Sequence, residues 1–221
     1  MAVTKKPLQV FFHHDVLCAW SYVADARLET LRAEFEGVVR FRFRPFPTRV
    51  QDSVLTLREV DKAVRSVQRA SEEPEGGRLT TELWRGPDAP RSSVPALLAL
   101  EAARLQGADE HHALLRAMQR TALESGVNVA RSDVAFELAQ RVGLKMARFA
   151  AAFNSAETRR LVLEEHRMAS DRGIREVPSL VIGGRWLLAG LHDVSEYRSK
   201  ILTCLARAST PHVGPSDGTL H

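Results

Sequence analysis

Apolar and polar positions change rhythm several times along the 221 residues. Residues 8 to 14, LQVFFHH, are a short continuous apolar run rich in β-favouring side chains, the pattern of a buried strand. Tyr22, Ala26 and Leu28 to Leu31 then recur at helical spacing up to Phe35, and Gly37 is placed to end that helix. In VVRFRFRPF, Val39, Phe41 and Phe43 alternate with Arg40, Arg42 and Arg44, so a second strand follows, closed by Pro45 and Pro47. Strand, helix and strand within the first 46 residues outline a βαβ unit.

From Ser53 to Asp171 the rhythm is helical, apart from SEEPEGGRLTTELWRGPDAP, whose Gly, Pro and polar residues predict a long loop. Val94, Leu97, Leu98 and Leu105 give one amphipathic face with Glu101 as its polar exception, and Leu114, Leu115 and Met118 begin another. Ser132 is the expected N-cap of a helix holding Val134, Leu138 and Val142, stopped by Gly143. Asn154 with Glu157 predicts a capping box before a long helix through Leu161, Val162, Glu165 and Met168. VPSLVI, Gly183-Gly184 and RWLLAG then read as a hairpin with a two-residue primed turn. Asp193, with Glu196, caps a last helix through Tyr197, Ile201 and Leu205. The pattern predicts an α/β fold in which a small mixed sheet, from residues 1–50 and 172–208, is split by an all-helical insertion at 51–171. Residues 209–221, polar with Pro and Gly, are expected to form a mobile tail.

Composition narrows the classes. An apolar content of 44% fills a real core. The net charge of +4 arises from 31 basic residues scattered among 27 acidic ones, without a basic run, which argues against a nucleic-acid partner. The first apolar stretch is broken at once by His13, His14 and Asp15, so it lacks the core of a secretory signal, and the cytoplasm is the expected location. No run approaches the ~18 apolar residues of a membrane span. With only Cys18 and Cys204, no disulfide framework holds the fold.

Cys18 is nevertheless placed where a thiol gains from its surroundings. It falls between a strand and a helix, where free N–H groups and the helix dipole stabilise a thiolate. Such positions lower a thiol pKa from ~8.5 to between ~3.5 and ~7.5, and His13, His14 and Arg44 are candidates for added positive charge, with Asp15 opposing them. A lone cysteine is more often a small buried hydrophobe. In GIREVPSLVIGG, Pro178 opens a strand after Val177, which suits a cis bond whose free edge meets a substrate, although by composition alone an ordinary trans proline at a strand start is the commoner case.

DVLCAWSY resembles the active-site turn of the DsbA-like branch of the thioredoxin superfamily, commonly D-x-x-C-P-W-C-Y in its FrnE-like members. RPF at 44 to 46 resembles the end of that family's second strand, PRSSVPALLALEAAR its first insertion helix, and GIREVPSLVIGGRWLLAGLHD its cis-proline block. The likeness runs from Val10 to about Leu205. It implies a thioredoxin-like fold interrupted by a helical insertion, an oxidoreductase activity, Cys18 as attacking thiol, and Val177 and Pro178 as substrate contacts. It also implies a thiol or disulfide substrate, no bound cofactor, glutathione as a candidate co-substrate and a homodimer as a candidate assembly.

Two departures change the expected chemistry. Ala19 replaces the usual proline, and Ser21 replaces the second cysteine. Without that thiol, Cys18 can form a mixed disulfide but nothing in the motif expels the partner, so an external thiol, or Cys204, must do so. Cys204 lies in line with Ile201 and Leu205 and is expected to be structural. The kappa-class glutathione transferases and 2-hydroxychromene-2-carboxylate isomerases are similar in fold, with a serine in this turn that binds the glutathione sulfur. In them the serine tends to align with Cys18, so the likeness to Ser21 is partial. Such an activity is the alternative reading, and a non-catalytic binding module a third. Ser21 is expected to donate to the Cys18 thiolate or to cap the helix. Trp20 and Tyr22 are candidate rim residues or packing against the insertion; Arg44 is the arginine best placed for an acidic ligand. His111-His112 lacks a second ligand pair, so no metal site is expected.

Overall fold

The computed structural model describes residues 6–209, so the expectations for the first five residues and for the tail from 210 onward lie outside the described residues. Val10, Phe12 and His14 alternate onto the buried face of β1 (Leu8–His14), which gives that strand its inward stripe. α1 (Ala19–Glu34) leads to β2 (Val39–Pro45), which pairs with β1 in parallel, Leu8 opposite Val39 and His14 opposite Pro45.

The helical block follows: α2 (Leu57–Ser71), α3 (Glu82–Arg85), α4 (Val94–Arg104), α5 (Ala108–Leu123), α6 (Ser132–Arg141), α7 (Met146–Phe153) and α8 (Ala156–Asp171). α4 is its axis. Nine of its eleven residues are buried, so α4 is wrapped on all sides rather than presenting one face, and Glu101 is tolerated inside through its ion pair with Arg104. The expected long loop contains α3 and a 3-10 turn at Pro74–Gly76, because Leu83 and Trp84 are pulled into the insertion core. Two caps differ from expectation. Arg131, not Ser132, is the N-cap of α6; Ser155, not Asn154, caps α8, its hydroxyl accepting from the Glu157 N–H, while Asn154 closes α7. In both places neighbouring polar residues compete for one cap, and the exact position is settled by packing.

β3 (Ser179–Ile182) returns antiparallel to β1, and β4 (Trp186–Ala189) is antiparallel to β3, giving the sheet order β2-β1-β3-β4. Gly183 and Gly184 both take positive φ, as a primed turn requires, and the Arg185 N–H bonds the Ile182 carbonyl. The loop is three residues, not two, because Ile182 faces Trp186 and leaves Arg185 as an extra residue. α9 (Val194–Ser209) and α1 cover one sheet face, burying Leu28, Leu31, Tyr197 and Ile201 against Phe12, Leu180 and Ile182. Burying each such side chain stabilises the fold by ~1.5–3 kcal/mol. Arg27 of α1 ties the parts together: its buried guanidinium reaches Glu73 and Glu75 of the insertion and the His192 carbonyl before α9. Among the described residues no helix is long and apolar enough to cross a membrane.

Candidate active site

The turn between β1 and α1 is built around Asp15. Its buried carboxylate accepts from the Leu17 N–H at 3.0 Å through one oxygen, and from the Thr48 N–H and hydroxyl at 2.8 and 2.6 Å through the other. One side chain thereby fixes both the turn and the segment beyond β2. Cys18 is the N-cap residue of α1, with extended backbone angles and no side-chain cap bond. The first-turn N–H groups are left for the sulfur. Ser21 is fully buried one turn on; its hydroxyl oxygen accepts from the Asp15 N–H at 3.4 Å, and its hydroxyl is a donor that favours a thiolate at Cys18.

Across the sheet, the Val177–Pro178 peptide bond is cis and the Cys18 thiol points at the Val177 carbonyl oxygen, Sγ to O 3.6 Å. Val177 lines the cleft that holds Cys18; Pro178 is buried behind it, its carbonyl accepting from the Gly190 N–H. The cleft has a volume of about 690 Å³. Leu17, Trp20 and Phe46 form one side, Leu55, Val67 and Trp84 of the insertion another, and His166, Arg175 and Glu176 the third.

The electrostatics differ from the sequence expectation. Burial dominates and pushes the Cys18 thiol above its ordinary value, with the Asp15 carboxylate adding to the rise. Hydrogen bonds from the Ser21 hydroxyl and from the Ser21 and Trp20 N–H groups pull the other way without overcoming it. The reason is packing: Cys18 sits against Phe46, Ala169, Ile174 and Val177, which leave it only partly exposed at the cleft. Neither His13 nor His14 supplies the missing cation. Burial, then Arg44 and Arg172, lowers His13 to about 4; burial and the neighbouring imidazoles lower His14 well below its ordinary value.

The remaining predicted residues separate. Trp20 lines the cleft, with the Arg69 guanidinium 6.0 Å from its ring centroid. Tyr22 does not: its hydroxyl donates to Glu124 at 2.8 Å, which fastens α1 to the end of α5. Arg44 is also absent from the cleft, contrary to its expected role. It pairs with Glu165 at 2.8 Å, lies over the Phe11 ring, and lines a separate cavity with Arg42, Arg104, His111 and His112. Among the described residues no group of three or more His, Cys, Asp or Glu is arranged to hold a metal ion. Cys204 lines a pocket with Leu8, Gly183 and Trp186, at the opposite end of the sheet from Cys18. The seven residues of β1 lie between, roughly 20 Å at ~3.3 Å per residue, against the ~7 Å Cα limit for a disulfide. Cys204 therefore does not reach Cys18 in this fold.

Sequence reasoning missed Thr48, Lys62, Trp84, His166 and Arg175. Asp15 and Cys18 sit inside one quoted motif, but these five come from the insertion and connecting segments, which only tertiary packing brings to the thiol.

A nucleophilic residue type at the start of the helix after the first strand, facing a cis-proline loop across a mixed sheet, defines a thioredoxin-like thiol site. The chain belongs to the DSBA-like thioredoxin domain family, whose model matches residues 9–202. Solved structures agree in fold. A protein from Nitrosomonas europaea, assigned by inference as a protein disulfide isomerase, is similar with TM-score 0.81 and 18% identity over 91% of this chain and 99% of that one. The cytosolic disulfide reductase DsbM from Pseudomonas aeruginosa, with GSH, is similar with TM-score 0.65 and 22% identity over 90% and 96%. A 2-hydroxychromene-2-carboxylate isomerase is similar with TM-score 0.61 and 15% identity over 90% and 95%.

Proposed function

We propose that this chain is a one-thiol thiol–disulfide oxidoreductase. Cys18 attacks one sulfur of a disulfide, the S–S bond breaks, and the leaving thiolate takes the proton that Cys18 gives up. The product is a mixed disulfide at Cys18. An external thiol then attacks the substrate sulfur, a new disulfide forms between the two small partners, and Cys18 is released as a thiol. Glutathione is the co-substrate of this reading and the cytoplasm its location; the cytosolic disulfide reductase with GSH, similar in fold, supports both.

The observation that carries the reading is the Cys18 thiol aimed at the Val177 carbonyl, with a buried, hydrogen-bonded serine where a resolving thiol would stand. With Cys204 at the far end of the sheet, an internal disulfide has no second partner. Intact-mass measurement after incubation with oxidised glutathione tests it. One glutathione adduct is expected, lost on adding reduced glutathione and absent from Cys18→Ala; an unmodified wild-type chain under the same conditions refutes the reading.

One observation favours the alternative of a glutathione-dependent isomerase or transferase. A Cys18 held protonated by burial is a hydrogen-bond donor, and beside Ser21 it can hold a glutathione sulfur as a hydroxyl would. Calorimetry separates the two: under that alternative Cys18→Ser retains binding of reduced glutathione.

A further inference from the structure

His166 projects from α8 into the cleft that contains Cys18. Its ring meets Phe46 edge-on, centroids 4.6 Å apart, and Phe46 belongs to the small cluster against which Cys18 packs. A substrate sulfur bonded to Cys18 thus lies in the same cleft as this imidazole. Burial is the one influence that lowers the His166 pKa, so the ring is neutral at pH 7 and able to accept a proton. The charged groups around it are Glu59 and Lys62 of α2, Arg49, Arg175 and Glu176 across the cleft, and Glu165 and Arg167 on its own helix. Glu165 is taken up by Arg44 and Arg49 by Glu59.

We propose that His166 is the general base for the incoming thiol in the release step, an inference that rests on the one-thiol reading above. The need for it follows from the site. A thiol with an ordinary pKa of ~8.5 is only a few per cent thiolate at neutral pH, and Cys18, with its raised pKa, is a poor leaving group. As the external thiol attacks the substrate sulfur, its proton passes to His166. The new S–S bond forms, the Cys18–S bond breaks, and the electron pair stays on Cys18. Ser21 and the first-turn N–H groups stabilise that sulfur until it takes a proton from solvent, while His166 returns its own to solvent. The incoming thiol is oxidised to the level of a disulfide, Cys18 is reduced, and the net proton change is zero.

With glutathione, release by the reduced form is the reverse of adduct formation by the oxidised form. Microscopic reversibility then requires His166 to speed both directions equally and to leave the equilibrium alone. The test follows adduct mass with time in mixtures of reduced and oxidised glutathione, from pH 6 to 9, for wild type, His166→Gln and His166→Ala. Both rate constants are expected to fall together, by about 10²-fold near pH 7, with the equilibrium adduct level unchanged. Wild type should show a rate plateau between the imidazole and thiol pKa values, whereas the variants rise about tenfold per pH unit there, following thiolate alone. Added imidazole should restore part of the His166→Ala rate. Variant rates within about threefold of wild type with the same pH profile overturn the proposal, as does a changed equilibrium with one rate altered, which marks a structural role. A single adduct, with the buried Cys204 unmodified, shows that either variant has folded, because an unfolded chain exposes both thiols. A wild type that forms no adduct instead overturns the one-thiol reading itself.

Discussion

Removal of the Ser21 hydroxyl isolates one donor to the Cys18 sulfur. In Ser21→Ala the backbone N–H groups of Trp20 and of residue 21 remain, as does the packing by Phe46, Ile174 and Val177, so the change reports on a single hydrogen bond. A hydrogen bond to a charged acceptor is worth ~1.5–3 kcal/mol, which moves the titration midpoint of the thiol up by about one to two pH units. Below that midpoint the thiolate fraction falls by ~10–100-fold. The more basic thiolate is also the better nucleophile, with a Brønsted slope of ~0.4–0.5, which recovers roughly 3–10-fold. Net reactivity toward iodoacetamide at pH 7 therefore drops by about 3–10-fold. Above both midpoints the order reverses, since each thiol is then fully ionised and the variant's is the stronger nucleophile. The two rate–pH curves must cross. The assay is alkylation of Cys18 by mass spectrometry from pH 6 to 11, with thiolate absorbance as an independent titration. Superposed curves would refute the role assigned to Ser21, and faster reaction of the variant at pH 7 would reverse it.

Ser21→Cys should restore two-thiol chemistry, because residues three apart at a helix start fall within the ~4.4–6.8 Å Cα range of a disulfide. After oxidised glutathione its mass should drop by two hydrogens with no retained adduct; a persistent glutathione adduct would show that position 21 cannot reach the sulfur. Arg27→Ala removes the guanidinium that joins α1, Glu73, Glu75 and the start of α9, with an expected cost of about 2–4 kcal/mol, or roughly 5–15 °C in Tm. A change under about 1 °C would show that the clasp adds nothing to the packing. Acid should destabilise the chain. Burial holds His13, His111 and His112 at about 4, 3 and 4, so below pH 6.5 the folded chain binds fewer protons than the unfolded one. Stability present above pH 6.5 is lost as the pH falls toward 4, partly offset by Asp25, which burial raises to about 6 and which favours the fold in its protonated form. The urea midpoint should be lower at pH 5 than at pH 7, and His111→Phe should shrink the difference; equal midpoints would contradict it.

The sheet strands were legible because each carries a local signal: the apolar run of Leu8–His14, the Phe/Arg alternation of Val39–Pro45, and two glycines between Ile182 and Arg185. α7 fell within the stretch read as helical without bounds of its own, since Met146–Phe153 is eight residues of mostly small apolar side chains with no stop signal until Asn154. The turn that carries Cys18 was legible for the same local reason. What surrounds it was not. The partner of Arg44 is 121 positions away, and the expected cation at the thiol became an ion pair in another cavity. Helix position argued for a lowered Cys18 pKa, but the decisive influence is burial by residues such as Phe46 and Ile174, set by how the insertion closes over the turn. Periodicity records which face of an element is buried, not what a given atom meets there.

Cys18 occupies the N-cap of α1 and its thiol makes no cap bond, whereas the N–H groups of Trp20 and Ser21 favour its thiolate form. A neutral thiol is a weak acceptor, so the first turn of α1 gains its cap only when the sulfur carries charge. Capping favours the reduced thiolate; burial and the Asp15 carboxylate oppose it, and they prevail. Where a thiolate is strongly stabilised, a mixed disulfide is driven off because the departing sulfur is a good leaving group. Here that drive is weak, and Ser21 offers a hydrogen bond in place of a second nucleophile. On the one-thiol reading the covalent intermediate is therefore the resting point of the cycle, and its breakdown is limited by how readily the incoming thiol loses a proton in the cleft. Exchange of Asp15 for Asn bears directly on this balance: it removes a charge that disfavours the thiolate, but also weakens the bonds that hold Leu17 and Thr48. If charge is the larger effect, release accelerates; if position is, release slows with the turn loosened. The rate of adduct release in Asp15→Asn thus weighs the two roles of one carboxylate against each other.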